Sequence, residues 1–550
     1  MIHPLDTTIS ILYIVFIFAI GLWAGIKHKY KTGQQNEASE YFLAGKTLRW
    51  PMIGLALFAT NISCVHLVSL AQSGFDSGLL NGNFEWMAAF TLILLSLFFV
   101  PFYIRSGVTT LPDFLEKRYD RASRDWLAIV SVVSAIVIHI SFSLLAGGIV
   151  LQTLFGVDLY TSVIVIAVIT SIYTIVGGLR AVVVTESIQT VVLLSGAIIM
   201  TFAAYHKMGG WQPMVNVLEQ QHQLEKLSMM RPHGDSSGLP WYAVFLGYPI
   251  LGIWYWCADQ TIVQRVLGAK DENHARIGPL FCGFIKILPV FIFVVPGLFA
   301  YALVQTGQLD VTALKTISGG KEVINSKGIY TLMILQLIPK GLAGILVAAL
   351  LSGLMSQISG ALNSISTMAS YDIYQRYRPG ASDQKLVKAG KIAAGLSLIF
   401  SLLLLPLLNS YESIFNGLND IIAHIAPPIT CVFLLGIFWG KASAVSAKLT
   451  LYIGSATGVI VFIIGKVYPE SFMGQIPFMM MAFYLFCCCV FLQVTFSLLF
   501  PVQHTAESAR LYWKSPLESL SSKGWNGLGN YKLLSFILFV VMCALFWIFR

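Results

Sequence analysis

The chain has 550 residues, of which 56% are hydrophobic and only 11% are charged. Roughly a quarter of the residues of a soluble domain are charged, so this composition excludes a soluble globular protein and indicates a chain embedded in lipid. In a membrane protein the formal net charge of +9 reflects the basic residues of the loops, and it does not indicate a nucleic-acid partner. The eight cysteines lie within apolar segments, which favours packing over disulfides or a metal site.

Apolar segments long enough to cross a bilayer follow one another along almost the whole chain. A transmembrane helix needs about 20 mostly apolar residues, and by this measure the sequence predicts about fourteen spans. The first span has no basic residue on its N-terminal side, which is unlike a cleaved signal peptide. The predicted spans are approximately residues 8–26, 51–72, 84–103, 126–153, 158–177, 183–205, 239–258, 277–304, 341–371, 392–409, 415–439, 449–465, 474–500 and 533–549.

The basic residues between these spans predict the orientation of the chain. Most of the 35 Lys and Arg residues fall in segments that face the cytoplasm if the N-terminus is outside, as the positive-inside rule requires. We therefore expect a multi-pass protein of the cell membrane with both termini outside and with long outer loops near residues 206–238 and 305–340. The polar, Gly- and Ser-rich segment 502–531 is expected to be a mobile cytoplasmic linker before the last helix.

Polar residues interrupt the second predicted span near the middle of the membrane. Asn61, Ser63 and His66 lie there among apolar neighbours, and polar groups at that depth are costly unless they line a cavity or pathway. An interrupted helix would free backbone carbonyls to hold a small cation; the alternative is hydrogen bonding between packed helices. The seventh span also contains two residues that disfavour a continuous helix, Pro249 and Gly252. It lies five spans later, as an inverted five-helix repeat would require.

Two charged residues stand out in or beside apolar helices. Lys286 lies among apolar residues in the eighth span, where a lysine costs about 2.5 to 3.5 kcal/mol on insertion scales. Snorkelling would relieve part of that cost, but the position favours a functional role. Glu85 lies near the start of the third span beside Trp86. Its carboxylate fits either a binding site or an ordinary interfacial position.

Small and polar residues form one face of the ninth predicted span. This face fits either close packing of small residues between helices or a hydroxyl-bearing surface turned toward a cation. In the eleventh span Asn419 precedes Pro427 and Pro428, which predicts an unwound helix lining a path or an ordinary proline kink. No motif of a soluble enzyme is present, so no catalytic activity is predicted. The ninth-span face consists of Ser352, Gly353, Ser356, Gln357, Ser359, Gly360 and Asn363.

Several short stretches occur in a characteristic order along most of the chain. They are Tyr41–Lys46, Gly177–Val182, Trp254–Gln260, Ile262–Arg265, Asn363–Ser364, Tyr371–Tyr374, Pro427–Pro428 and Val432–Gly436. Together they resemble the sodium/glucose cotransporters of the solute:sodium symporter family. The resemblance implies an all-α polytopic membrane protein with the leucine-transporter-like fold and a single transmembrane domain, residues 1–550. It also implies inverted repeats at 51–205 and 239–439, and alternating access to a midplane site.

The resemblance further implies a sugar site and an adjacent sodium site. A sugar presents hydroxyls that both donate and accept hydrogen bonds, which carboxylate, amide, imidazole and ammonium groups can satisfy. The implied sugar-binding residues are Asn61, His66, Glu85, Tyr255, Trp256, Lys286 and Asn419. The implied sodium ligands are the carbonyls of Ala59, Ile62 and Gly353 and the side chains of Ser356 and Gln357.

This sequence departs from the family pattern at three positions. Gln357 replaces the second of two adjacent serines at the sodium site, and Asn419 stands where the family usually has Gln. The shorter amide of Asn419 leaves the identity of the sugar open. Glu186 stands where relatives often carry Asp, which raises the question of a second cation site.

The sequence therefore predicts a symporter in membrane lipid that carries sodium, as the co-transported ion, with a sugar or related polyol. Sodium would bind first, order the broken helix and raise the affinity for the sugar, and the sugar would raise the affinity for sodium by the same factor. Two alternatives stay open. The first is a sodium symporter of another small solute, such as an inositol or a carboxylate. The second, motivated by Gln357, is a membrane sugar sensor that binds without transporting.

Overall fold

The computed structural model describes residues 3–32, 37–235, 237–318, 321–408 and 414–550. These residues form a helical bundle with one small antiparallel β-hairpin, β1 Lys315–Ser318 and β2 Lys321–Ile324. The α-helices are α1 Pro4–Thr32, α2 Glu37–Leu43, α3 Trp50–Asn61, α4 Cys64–Ser77, α5 Gly82–Leu94, α6 Val100–Arg105, α7 Leu111–Arg118, α8 Arg121–Ser134, α9 Phe142–Phe155, α10 Leu159–Met208, α11 Trp211–Gln220, α12 Trp241–Ile253, α13 Gln260–Leu267, α14 Glu272–Ile285, α15 Val295–Gln305, α16 Ile329–Leu337, α17 Leu342–Met368, α18 Gln375–Tyr377, α19 Asp383–Leu408, α20 Ile414–Phe438, α21 Ala444–Val467, α22 Phe472–Gln475, α23 Phe478–Leu499 and α24 Tyr531–Ile548.

Eleven helical segments among the described residues are long and apolar enough to cross a membrane. Two of them contain parts of two predicted spans. The segment 66–105 joins the end of the second span to the third, and α10 extends over 50 residues but turns at Gly178, whose φ is 60°. Because 20 helical residues already cover about 30 Å, α10 provides both the fifth and the sixth span. The seventh span consists of two short helices, α12 and α13, so the architecture agrees with the prediction of about fourteen spans.

The second span is interrupted between α3 and α4, as the sequence predicts. Ile62 and Ser63 are extended there, with ψ values of 102° and 177°. The Ser63 N–H donates to His66 Nδ1 at 3.3 Å, whereas a continuous helix would direct it to the carbonyl of Ala59. The His66 N–H donates to the Ser63 carbonyl at 3.0 Å and not to that of Ile62. The break therefore releases the carbonyls of Ala59 and Ile62 from the helical hydrogen-bond ladder.

The seventh span is also interrupted. Helix α12 continues into a π-helical turn over residues 254–258. Asp259 then adopts an extended conformation with φ −88° and ψ 121°, and α13 begins at the next residue. The carboxylate of Asp259 accepts the N–H of Thr261 at 2.8 Å, which caps the new helix. The predicted interruption is confirmed, and it lies at Asp259, whereas Pro249 is accommodated inside α12.

The eleventh span differs from one of the two expectations for it. Helix α20 continues through both Pro427 and Pro428, so the prediction of an unwound helix was wrong and a proline-containing helix is observed. Pro428 has no N–H to donate to the carbonyl of His424. Helix α21 covers that carbonyl, since a Cβ added to Gly458 would lie only 2.3 Å from its oxygen. The helix still lines a cavity inside the bundle, through Leu418, Asn419 and Ile422.

Both chain ends lie at the end of the bundle that carries the two long loops. Near the N-terminus, the Asp6 carboxylate accepts the N–H groups of Gly341 and Gly344, each at 2.7 Å, at the start of α17. Near the C-terminus, the Phe549 carbonyl accepts the N–H of Met229 at 2.9 Å, within the 206–238 loop. These contacts place the two termini on the same side of the membrane.

The segment 502–531 lies against the opposite end of the bundle in a series of short 3-10 turns. Trp513 is buried, and its indole N–H donates to the carbonyl of Phe98 at 3.1 Å. Its backbone N–H donates to the carbonyl of Ile437 at 2.8 Å. Trp513 thus connects this polar segment to both the third and the eleventh spans.

Candidate functional site

One cavity is lined by all seven side chains that the sequence associates with a sugar. The space between the lining atoms, including the opening of the cavity, is about 640 Å³. Seven predicted spans contribute to its wall, so the cavity forms only when the whole bundle is assembled. The lining residues are Asn61, His66, Phe84, Glu85, Ile138, Tyr248, Leu251, Gly252, Tyr255, Trp256, Lys286, Gln357, Leu418, Asn419 and Ile422.

Glu85 and Lys286 form a buried ion pair on the wall of this cavity. Both side chains are at least 97% buried, and the ammonium contacts the carboxylate directly. The same ammonium donates to the Asn61 side-chain oxygen at 2.5 Å, so a residue beside the broken helix joins the pair. The cost of placing a lysine at this depth is thus offset by a carboxylate and an amide.

Aromatic side chains from the seventh span face the ion pair. The Lys286 ammonium lies 5.6 Å from the centre of the Trp256 ring, within the range of a cation–π interaction. The Tyr255 ring packs edge-on against Trp256 with centroids 5.3 Å apart. The Tyr255 hydroxyl is buried and makes no hydrogen bond to any of the described residues. Tyr255 and Trp256 both line the cavity.

His66 and Asn419 approach the cavity from two further helices. His66 Nδ1 bonds the Ser63 N–H and lies 3.2 Å from the Ser63 hydroxyl, so the imidazole also caps the start of α4. Asn419 is buried and lies on α20. The structure therefore brings every predicted sugar-binding residue to one cavity, and it gives His66 a second, structural role.

Oxygen atoms of α17 meet the released carbonyls of the second span. Ser356 Oγ lies 2.7 Å from the Ala59 carbonyl oxygen and 3.1 Å from the Gly353 carbonyl oxygen. Three of the five predicted sodium ligands are thus within one hydrogen-bond length of a common point. Unwound carbonyls opposite a hydroxyl-bearing helix are the kind of site that binds sodium in transporters with discontinuous helices.

The amide of Gln357 is directed toward the fourth span. Its oxygen accepts the Ser143 hydroxyl at 2.8 Å, and its nitrogen lies 3.2 Å from His139 Nδ1. His139 and Ser143 are one helical turn apart and therefore share a face. The side chain of Gln357 consequently lies along the fourth span, and it also reaches the wall of the cavity.

Glu186 is neutralised by a neighbouring arginine. Its Oε1 accepts from Arg265 Nη2 at 2.5 Å and from the Thr60 hydroxyl at 3.0 Å, and all three side chains are fully buried. Gly360 leaves room for this pair, since a Cβ there would lie 2.3 Å from Arg265 Nη2. Because the positive charge is supplied by the protein, this geometry does not favour a second cation site at Glu186.

Sequence reasoning missed His139, Phe84 and Tyr248. His139 is an ionisable residue between two isoleucines of the fourth span, and the rule that singled out Lys286 would have found it. Phe84 and Tyr248 line the cavity with rings 5.8 Å apart. An aromatic residue in an apolar span carries no comparable signal, because most such residues face lipid or the core.

Comparisons with known proteins identify the family. The model of the sodium:solute symporter family matches residues 41–454. Sodium/glucose cotransporter 4 of Danio rerio is 33% identical over 487 residues, which cover 86% of this chain and 73% of that protein. Sodium/glucose cotransporter 1 of Ovis aries is 34% identical over 476 residues, covering 82% and 71% respectively.

Solved structures agree on the fold. A Na+-coupled sialic acid symporter in a substrate-bound, outward-open state has a TM-score of 0.77 at 23% identity, with coverage of 92% of this chain and 100% of that chain. A nucleobase-cation-symport-1 family transporter in a closed conformation has a TM-score of 0.50 at 14% identity, with coverage of 86% and 98%. The architecture is the predicted leucine-transporter-like fold. With a family match over most of its length, the chain belongs to the sodium:solute symporter family and is a sodium-coupled membrane transporter, not an enzyme.

Proposed function

We propose that the chain carries a sugar or related polyol into the cell together with sodium, by alternating access. The observation that carries this proposal is the single cavity in which a carboxylate, an ammonium, two amides and an imidazole line the same space as Tyr255 and Trp256. These groups match a solute whose hydroxyls both donate and accept and whose C–H face is apolar. The sodium/glucose cotransporters among its relatives support the same class of solute.

The charges of the cavity favour a neutral solute. Glu85 and Lys286 neutralise each other, so an anionic solute would add a charge without a fixed partner in a poorly hydrated space. A hydroxyl-rich neutral solute can instead bridge the two charged groups and hydrogen-bond to Asn61 and Asn419. The paired charges, more than repulsion by Glu85 alone, thus argue against a carboxylate cargo.

Sodium is proposed to bind at the break in the second span. Its ligands would be the carbonyls of Ala59, Ile62 and Gly353 and the hydroxyl of Ser356. Binding there would hold α3 and α4 against α17, and thereby hold Asn61 in place beside the solute. Sodium would therefore bind first and raise the affinity for the solute, and the solute would raise the affinity for sodium by the same factor.

Uptake into proteoliposomes tests the proposal. Purified protein is supplied with labelled glucose, galactose or inositol, under an inward gradient of sodium, potassium or choline. We expect accumulation of at least one of the three solutes with sodium only. Equal uptake with potassium or choline would remove sodium coupling, and binding without flux would identify a sensor. If none of these three solutes accumulates but sodium drives the uptake of a solute that is not a polyol, the protein would still be a sodium symporter with a different substrate.

The orientation is proposed to place both termini and the two long loops outside. The distribution of Lys and Arg supports this orientation, and the contacts of Asp6 and Phe549 with the loop-bearing end of the bundle agree with it. In this orientation the released carbonyls of the second span are approached by sodium from outside.

A further inference from the structure

Four buried polar side chains connect the cation face of α17 to the break in the seventh span. We call them the Gln357 network: Ser143, Gln357, His139 and Asp259. Ser143 donates to Gln357 at 2.8 Å, Gln357 bonds His139 at 3.2 Å, and His139 Nε2 bonds the Asp259 carboxylate at 2.6 Å. No member is more than 6% exposed. The network joins three separate predicted spans.

With a neutral His139 imidazole, each group of the network donates a hydrogen bond to the next, from Ser143 toward Asp259. When the His139 imidazole is neutral, its bond to the Asp259 carboxylate puts the proton on Nε2 and leaves Nδ1 as an acceptor. Gln357 must then present its NH₂ group to Nδ1 and its oxygen to the Ser143 hydroxyl. This assignment follows from the bonding pattern, and it satisfies each of these buried groups in an environment where such bonds are strong and their loss is costly.

Both ends of the network touch a proposed binding site. At one end, Gln357 directly follows Ser356, whose hydroxyl lies 2.7 Å from the Ala59 carbonyl. At the other end, Asp259 caps α13 through Thr261 and ends the turn that carries Tyr255 and Trp256. The His139 ring also lies 5.8 Å from the Tyr255 ring. A shift of α17 at the cation face is therefore transmitted to the aromatic wall of the solute cavity.

We propose that Gln357 is a positioning residue that couples sodium binding to solute binding through His139 and Asp259, and that its amide is not itself a sodium ligand. This inference rests on the proposed sodium-coupled sugar transport. Both hydrogen-bonding ends of the amide are engaged by one face of the fourth span, away from the oxygens that meet at Ser356. The residue that departs from the family's serine thus supplies a mechanical connection in place of a ligand.

Solute binding with and without sodium tests the coupling. The ratio of the dissociation constant of labelled glucose, galactose or inositol in potassium to that in sodium is measured on purified protein, for whichever of the three the wild type binds. Allosteric coupling of ligands typically gives a factor of about 5 to 150. We expect this ratio to fall below about twofold in Gln357→Leu, in Gln357→Ser and in His139→Ala. The double variant Gln357→Leu/His139→Ala should lose no more than either single variant, since both break the same connection.

The Ser variant and a sodium-binding measurement separate the two roles of Gln357. Binding of ²²Na without solute should change by less than about threefold in His139→Ala, because the coupling and not the cation site is altered. A Gln357→Ser ratio equal to or above that of the wild type would overturn the inference, since a serine would then be acting as a ligand. So would a wild-type ratio in His139→Ala, because the side chain of His139 bonds Gln357 and Asp259, neither of which is a proposed sodium ligand.

A matched control removes a buried glutamine elsewhere. Gln493 on α23 is fully buried and is also held by two hydrogen-bonding partners, Cys431 and Tyr119, each at 3.2 Å. Gln493→Leu should retain the wild-type ratio of dissociation constants. If its ratio falls as far as that of Gln357→Leu, the loss in Gln357→Leu reflects general destabilisation and the inference is overturned. A wild-type ratio of one would instead refute the sodium–sugar coupling itself, before any variant is compared.

Discussion

The buried ammonium of Lys286 depends on the Glu85 carboxylate, because an isolated charge at this position in an apolar helix would be costly. The two side chains are buried and in direct contact, and Asn61 accepts a second hydrogen bond from the ammonium. A buried pair of this kind adds little net stability when compared with apolar residues of the same size, but removing one partner leaves an uncompensated charge. We therefore expect the pair to serve the proposed solute site, and its effect on transport should be separable from its effect on stability.

Charge-removing variants of this pair test that explanation. Glu85→Gln and Lys286→Met each leave one buried charge unpaired, which should cost about 3 to 5 kcal/mol of stability. The double variant should regain most of that stability, while all three variants lose sodium-driven uptake. Thermal unfolding in detergent and uptake into proteoliposomes measure the two effects. A double variant as unstable as the single variants would show that the two charges do not depend on each other.

The sequence identified these residues individually but could not predict their partners. Glu85, Lys286 and Asn61 are conspicuous because polar groups are rare among apolar neighbours. Their pairing depends on the rotation of the second, third and eighth spans about their axes, which hydropathy does not specify. Gln357 illustrates the same limit, since its amide bonds His139 and Ser143, two partners that the sequence could not identify.

The helix breaks were predictable where polar side chains can replace the backbone hydrogen-bond partners, but proline alone was a poor indicator of a break. The breaks at residues 62–63 and at Asp259 occur where polar side chains replace backbone partners, through His66 in one case and Asp259 itself in the other. Helix α20 contains two adjacent prolines and remains continuous. A break thus needs a side chain that satisfies the freed groups, and its location follows that side chain.

Close packing against α4, the part of the second span after the break, gives a prediction for this helix. A Cβ on Gly297 of α15 would lie 1.9 Å from the Ala71 carbonyl oxygen, and one on Gly74 would lie 2.0 Å from that of Val294. Gly297→Ala should therefore push α4, with His66, away from the eighth span, at a cost of about 1 to 3 kcal/mol for overpacking. Lower thermal stability and reduced sodium-driven uptake are expected.

The control for this substitution is Gly395→Ala on α19. No atom lies within 4 Å of a Cβ at that helical position, so alanine should be neutral or should stabilise the helix by about 0.5 to 1 kcal/mol. The comparison separates contact with α4 from the general effect of replacing glycine in a helix. Equal melting temperatures for the two variants would contradict the proposed close approach.

On the scale of the whole molecule, the position of the chain ends depends on the number of spans. An even number returns the chain to the side on which it started, and the bonds from Asp6 to Gly341 and from Phe549 to Met229 place both ends on one side. The opposite end carries ion pairs such as Arg105–Glu272, in keeping with the concentration of basic residues there. If that end faces the cytoplasm, the positive-inside rule is satisfied.

Cysteine labelling at exposed positions of opposite ends tests this orientation. Gln308 lies in the long loop before β1, and Arg378 lies between α18 and α19; both are exposed. A membrane-impermeant maleimide applied to intact cells should label Gln308→Cys and leave Arg378→Cys at the background of the unsubstituted chain, whose own cysteines lie within apolar spans. Permeabilised cells should show both labels. The reverse pattern in intact cells would invert the proposed topology.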